Sequence, residues 1–199
     1  PSEVMVLADA AASAELCAAE LLAQAEHDPL ASAILVTTSE TLADEVERTI
    51  AARLPGMERQ SIIRQSLKSQ GKIIVAPQDE AIELANLYAP EHVLLLVEDP
   101  GGWVENIRHA GAIFVNTPVS LGDYILGPSH VLPTGGSARF ASPLSIEDFL
   151  KITTLVTPHV PGLKKLAGTA EIIARAEGLD AHARSMKLAW EKLPKGKRR

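Results

Sequence analysis

The chain has 199 residues, of which 46% are apolar and 22% charged, enough for one sizeable buried core with room for an appendage. A formal charge of −6 argues against a nucleic-acid surface, which needs clustered Lys and Arg. No apolar run reaches the ~18 residues of a membrane helix, and one cysteine, Cys17, excludes an internal disulfide.

In chain order, strands alternate with helices. Pro1-Ser2 runs without an initiating Met into a predicted strand over Glu3–Leu7, which reads as a piece of something longer, its first strand an exposed edge. Ser13 caps a helix to about His27, stopped by Asp28-Pro29. Ala33–Thr38 is β-branched and apolar, hence a strand; Ser39 then caps a helix to about Leu54. A helix over Ser61–Gln70, a strand over Ile73–Val75 and a helix over Gln78–Tyr88 follow. Pro90 ends that last helix by keeping Ala89 out of helical geometry. After Glu91-His92 comes the wholly apolar strand Val93–Val97, a short helix behind Pro100-Gly101-Gly102, and a strand over Ala112–Val115. This pattern predicts an α/β fold: a Rossmann-like parallel sheet flanked by helices over residues 1–143.

Residues Thr117–Pro143 are rich in Gly, Pro, Ser and Thr and read as a long, ordered, packed loop. Past Ser145 the chain turns helical again, and Gly162–Trp190 is almost wholly so, divided at Gly178. Residues 144–190 are therefore expected as a helical appendage, with 191–199 a frayed basic tail.

Candidate chemistry starts at Glu91 and His92, a carboxylate and an imidazole held on a connection into buried structure. They read as a general acid/base pair, or equally as a solvated loop carboxylate beside a hydrogen-bonded strand opener. Gln24 and His27, three apart on one predicted helix, share a face and make half a metal site; Asp123 and His182 are the other candidate ligands. A set of His, His, Asp and amide without thiolate suits Zn²⁺, although Gln is an unusual ligand. Cys17 lies about 10 Å down the helix from Gln24, too far to share its site, and reads as inert packing. No Gly-x-Gly-x-x-Gly follows any strand, so the dinucleotide fingerprint is absent.

Five segments together resemble one family: Gln24-Ala25-Glu26-His27, Ala89-Pro90-Glu91-His92, Leu121-Gly122-Asp123-Tyr124, Ser129 to Gly136, and Ala176 to His182. They are similar, in order, to the C-terminal half of histidinol dehydrogenases. That resemblance implies oxidation of L-histidinol to L-histidine through histidinaldehyde, with two NAD used in succession and Zn²⁺ orienting the substrate. It implies Gln24, His27, Asp123 and His182 as metal ligands. Glu91 and His92 become proton acceptors, and Ser2 and Glu177 contact substrate together with the metal ligands and His92. His130 would lie nearby. It further implies a cytoplasmic homodimer whose second copy supplies Glu177 and His182, and NAD contacts mostly in an N-terminal half that these residues do not include. Two other readings are a non-catalytic metal- or imidazole-binding module, and a zinc hydrolase in which Glu91 activates water.

Overall fold

The computed structural model describes residues 2–127, 129–157 and 160–192. These form two compact units, Pro1–Leu150 and Lys151–Arg199.

The first unit is built on five parallel strands, β1 (Glu3–Ala8), β2 (Ser32–Thr37), β3 (Lys72–Val75), β4 (His92–Leu96) and β5 (Ala112–Val115), in the order β3-β2-β1-β4-β5. In register, Glu3 lies opposite Ser32, and Val4 opposite both Ala33 and His92. The expected α/β fold with a parallel sheet is thus present, but β1 is not an edge. It is the central strand, every residue buried, because it pairs on one side with β2 and on the other with β4.

Strand alternation sends successive side chains to opposite faces. Val4, Val6, Leu94 and Leu96 meet α1 (Ala14–Ala25), α2 (Glu40–Arg53) and α3 (Gln60–Gln70) in one apolar layer. Met5, Leu7, Val93 and Leu95 face a second layer with α4 (Gln78–Tyr88) and the four-residue α5 (Gly101–Val104). Burying side chains such as Leu94 and Leu95 fully is worth about 1.5–3 kcal/mol each. The expected caps are present: Ser13 accepts from the Leu16 amide and Ser39 from the Leu42 amide.

Three local expectations need correction. Helix α1 ends at Ala25, so His27 stands beyond it, its amide still donating to the Gln24 carbonyl at 3.3 Å. Ala89 does end α4, but in left-handed geometry (φ 55°, ψ 62°) and not the extended form expected before proline. That conformation costs a non-glycine residue about 1–2 kcal/mol, and the Ala89 amide is retained by the Ala85 carbonyl at 2.8 Å. The Gly-rich segment is not wholly loop. It contains α6 (Val119–Tyr124), which carries Asp123, because the buried Glu20 carboxylate accepts the Val119 amide at 2.9 Å and anchors the helix start.

Directly after Ser145 a single 3-10 turn forms, Ile146–Phe149, and residues 150–157 have no regular structure before the helices begin. The second unit pairs α7 (Val160–Ala176) with α8 (Asp180–Lys192). Gly178 at φ 76° makes the turn between them, with the Leu179 amide donating to the Ala174 carbonyl and the Gly178 amide to Arg175. Of the basic tail, Lys195, Lys197, Arg198 and Arg199 lie outside the described residues. Among the described residues no helix is long and apolar enough to cross a membrane.

Candidate active site

The candidate residues of the first unit gather at the amino edge of the sheet, where β1 and β4 begin side by side. Glu91 is not a solvated loop residue: it is 8% exposed and His92 5%. Glu91 Oε2 accepts from the Ser2 hydroxyl and from the Glu3 amide, both at 2.9 Å. Ser2 and Glu91, far apart in sequence, are therefore in direct contact.

His92 opens β4, and alternation places its ring on the α1 face, tilted against Phe114 with centroids 5.9 Å apart. Its Nδ1 lies 3.0 Å from the Glu3 carbonyl oxygen and 3.6 Å from Glu91 Oε2. A carbonyl can only accept, so Nδ1 carries a proton, and in the neutral ring the lone pair then lies on Nε2. Nε2 lies 4.0 Å from Asp123 Oδ1.

Beside that ring is a small cavity of about 80 Å³ lined by Val4, Glu20, Ala23, Gln24, Glu26, His27, Val119, Ser120, Asp123 and Tyr124. It brings together three of the four expected metal ligands, Gln24, His27 and Asp123. Gln24 is 6% exposed, and its Nε2 has no hydrogen-bond partner. A buried amide left this way is uncommon and points to a ligand that would use or reorient it. Among the described residues no three His, Cys, Asp or Glu side chains already stand close enough to hold a metal ion. An amide, an imidazole and a carboxylate around one cavity are nonetheless a donor set that fits a borderline divalent ion.

Two buried carboxylates at this edge escaped sequence reasoning. Glu20 precedes Gln24 and His27 by four and seven residues, so helical spacing could have found it. Burial pushes its carboxyl above the ordinary range, the negative charge of Asp123 adds to that, and the Val119 amide and His92 oppose it. Glu3 opens an otherwise apolar strand, and that placement was its signal.

Glu177 and His182 belong to the second unit. Glu177 directly follows α7 and His182 lies in the first turn of α8; both are exposed. His130 is exposed in the segment after α6.

Cys17 is fully buried in α1 and its thiol is pushed up to about 11, mainly by burial. That agrees with packing and not with a nucleophile.

Comparison with known proteins bears on the whole arrangement. The histidinol dehydrogenase family model matches residues 1–189. A histidinol dehydrogenase of Dehalococcoides mccartyi is 52% identical over 186 residues, covering 92% of this chain and 43% of that protein. One from Thermus thermophilus is 44% identical over 190 residues, covering 94% and 46%. The crystal structure of histidinol dehydrogenase from Elizabethkingia anophelis superposes with a TM-score of 0.90 at 35% identity, covering 97% of this chain and 45% of that one. The chain thus spans less than half the length of the relatives it matches. With the family model covering nearly every residue, this chain belongs to the histidinol dehydrogenase family.

Proposed function

We propose that these residues form the metal- and base-bearing part of an L-histidinol dehydrogenase, active in a protein that also carries the part of the relatives not matched here. The observation that carries the reading is the position of His92 Nε2, beside the cavity that Gln24, His27 and Asp123 line, with Glu91 fixed behind the same ring.

Gln24, His27 and Asp123, with His182 from a second copy, would hold a zinc ion that orients the substrate, while NAD would accept a hydride in each oxidation. The remaining chemistry falls to this chain. His92 Nε2 takes the hydroxyl proton of histidinol as hydride leaves its carbon, giving the aldehyde. Glu91 Oε2 is held by Ser2 and Glu3, so Oε1 is the oxygen available to deprotonate water. The resulting hydroxide adds to the aldehyde, and loss of a second hydride gives the carboxylic acid, which ionises by releasing its remaining proton to solvent. Ser2 supports Glu91 and contacts substrate; Glu177 contacts it from the second copy of a homodimer.

The test uses a complete enzyme carrying these residues, assayed separately with histidinol and histidinaldehyde. Glu91→Gln should spare alcohol oxidation more than aldehyde oxidation, whereas His92→Ala should impair both. Equal losses in both steps for Glu91→Gln would sink the division of roles. His27→Ala should strip stoichiometric zinc; full retention would remove His27 from the ligand set.

A further inference from the structure

Glu3 is 5% exposed and touches both proposed bases through three of its atoms, with a fourth reaching Gly135. Its carbonyl oxygen lies 3.0 Å from His92 Nδ1, and its amide donates to Glu91 Oε2 at 2.9 Å. Its own carboxylate reaches back: Oε2 accepts the Glu91 amide at 3.2 Å and Oε1 the Gly135 amide at 3.0 Å. Glu3 and Glu91 therefore hold each other reciprocally, amide to carboxylate in both directions. Both oxygens of Glu3 are thus engaged by backbone donors, one each.

We propose that Glu3 is the positioning residue of the acid/base pair, fixing the Glu91 carboxylate and the tautomer of His92 from one strand position. The inference rests on the proposed roles of Glu91 and His92. The Glu3 backbone sets the Nδ1–H tautomer, which leaves Nε2 basic. The side chain holds the Pro90–His92 connection against β1 and draws in the Gly135 turn. Without it the Glu91 amide loses its bond to β1, while the Pro90 and Glu91 carbonyls stay tied to the Gly111 and Ala112 amides on the far side.

Glutamine at this position is the decisive variant. It keeps the shape and most of the packing, yet its amide nitrogen faces one of the two backbone donors. A packing role predicts a silent Glu3→Gln; the positioning role predicts nearly the effect of Glu3→Ala. In the metal-free 199-residue chain, labelled with ¹⁵N and ¹³C, amide exchange at Glu91 and Gly135 in Glu3→Gln should speed up roughly tenfold relative to Leu94, the loss of about one such bond. In the wild-type chain, scalar couplings should run across the hydrogen bonds from the Glu91 and Gly135 amides to the Glu3 carboxyl carbon. This measurement needs no variant to fold. Missing couplings, or unchanged exchange in Glu3→Gln, would overturn the proposal. In the complete enzyme the same variant should lower kcat about 100-fold with KM and zinc content little changed, as expected for a misplaced base. Ties lost with turnover intact would leave the positioning of these groups standing and overturn instead their reading as the catalytic bases.

Discussion

Gly111 offers a sharp test of how the candidate bases are held. Its amide donates to the Pro90 carbonyl, and the next amide, of Ala112, donates to the Glu91 carbonyl, both at 2.9 Å. A Cβ added at Gly111 would stand 2.6 Å from the Glu91 carbonyl oxygen and 3.2 Å from Pro133 Cδ. Backbone cannot swing aside as a side chain can, so Gly111→Ala must push the Glu91 peptide away by several tenths of an ångström. Overpacking of this kind costs about 1–3 kcal/mol, and weakening the two backbone bonds adds about 0.5–1.5 kcal/mol. At about 2–4 °C per kcal/mol for a chain of this size, Tm should fall by roughly 3–18 °C. The control is Gly56→Ala, where an added Cβ meets nothing within 4 Å; it should shift stability by no more than about 0.5 kcal/mol. Thermal unfolding followed by far-UV circular dichroism measures both. A Gly111→Ala protein as stable as the control would mean that the approach of Gly111 to Glu91 is looser than this geometry requires.

Cys17, pushed from an ordinary 9.0 to about 11, should react with iodoacetamide at least about 100-fold more slowly in the folded chain than in urea, from loss of thiolate alone; similar rates would refute its burial. Glu20 is protonated more readily when folded than when unfolded, so the native state holds the extra proton between the unfolded value of 4.5 and the raised folded one. Its contribution therefore lowers stability as pH rises through that window. In metal-free protein, Glu20→Gln should gain stability relative to wild type as pH climbs from 4.5 towards neutrality, read from urea midpoints; a constant difference would contradict the raised carboxyl.

How legible this was from sequence depends on whether the cause is local. The strand-helix alternation, the Ser13 and Ser39 caps and the end of α4 before Pro90 are set by residues near one another, and periodicity and capping reveal them. The proximity of Glu91 to His92 needed no fold at all. What could not be read is what the fold imposes. The central place of β1 follows from which strands pair, and nothing in Glu3–Ala8 alone states it. Helix α6 is six residues long and contains Gly122, so propensity argues against it; it exists through the bond between Glu20 and Val119 and through the seat of Gly122 on Phe114. Glu3 looked like an ordinary strand opener because its partners are 88 and 132 residues away.

The amino edge of the sheet suits these acids for a physical reason. Strands that begin there present backbone amides, and Glu3 and Glu91 supply carboxylates to the Glu91, Glu3 and Gly135 amides. Open parallel sheets more often bind ligands at the carboxyl edge, at the point where strand order reverses, here between β1 and β4. That crevice is furnished differently. Asp9 Oδ1 accepts the Ala11 amide at 2.9 Å, its Oδ2 accepts the Glu98 amide at 2.8 Å, and the Ser13 hydroxyl accepts the Leu16 amide. The donors that would cradle a pyrophosphate are engaged by the chain's own oxygens, and an arriving phosphate would meet the charge of Asp9. A dinucleotide would have to displace that carboxylate and endure its repulsion. Titration of the 199-residue chain with NADH, followed by nucleotide fluorescence, should accordingly give no saturable binding tighter than about 1 mM, an affinity of only about 4 kcal/mol. Saturable binding at micromolar NADH would show that these residues hold a dinucleotide site, and that the argument from the filled carboxyl edge is wrong.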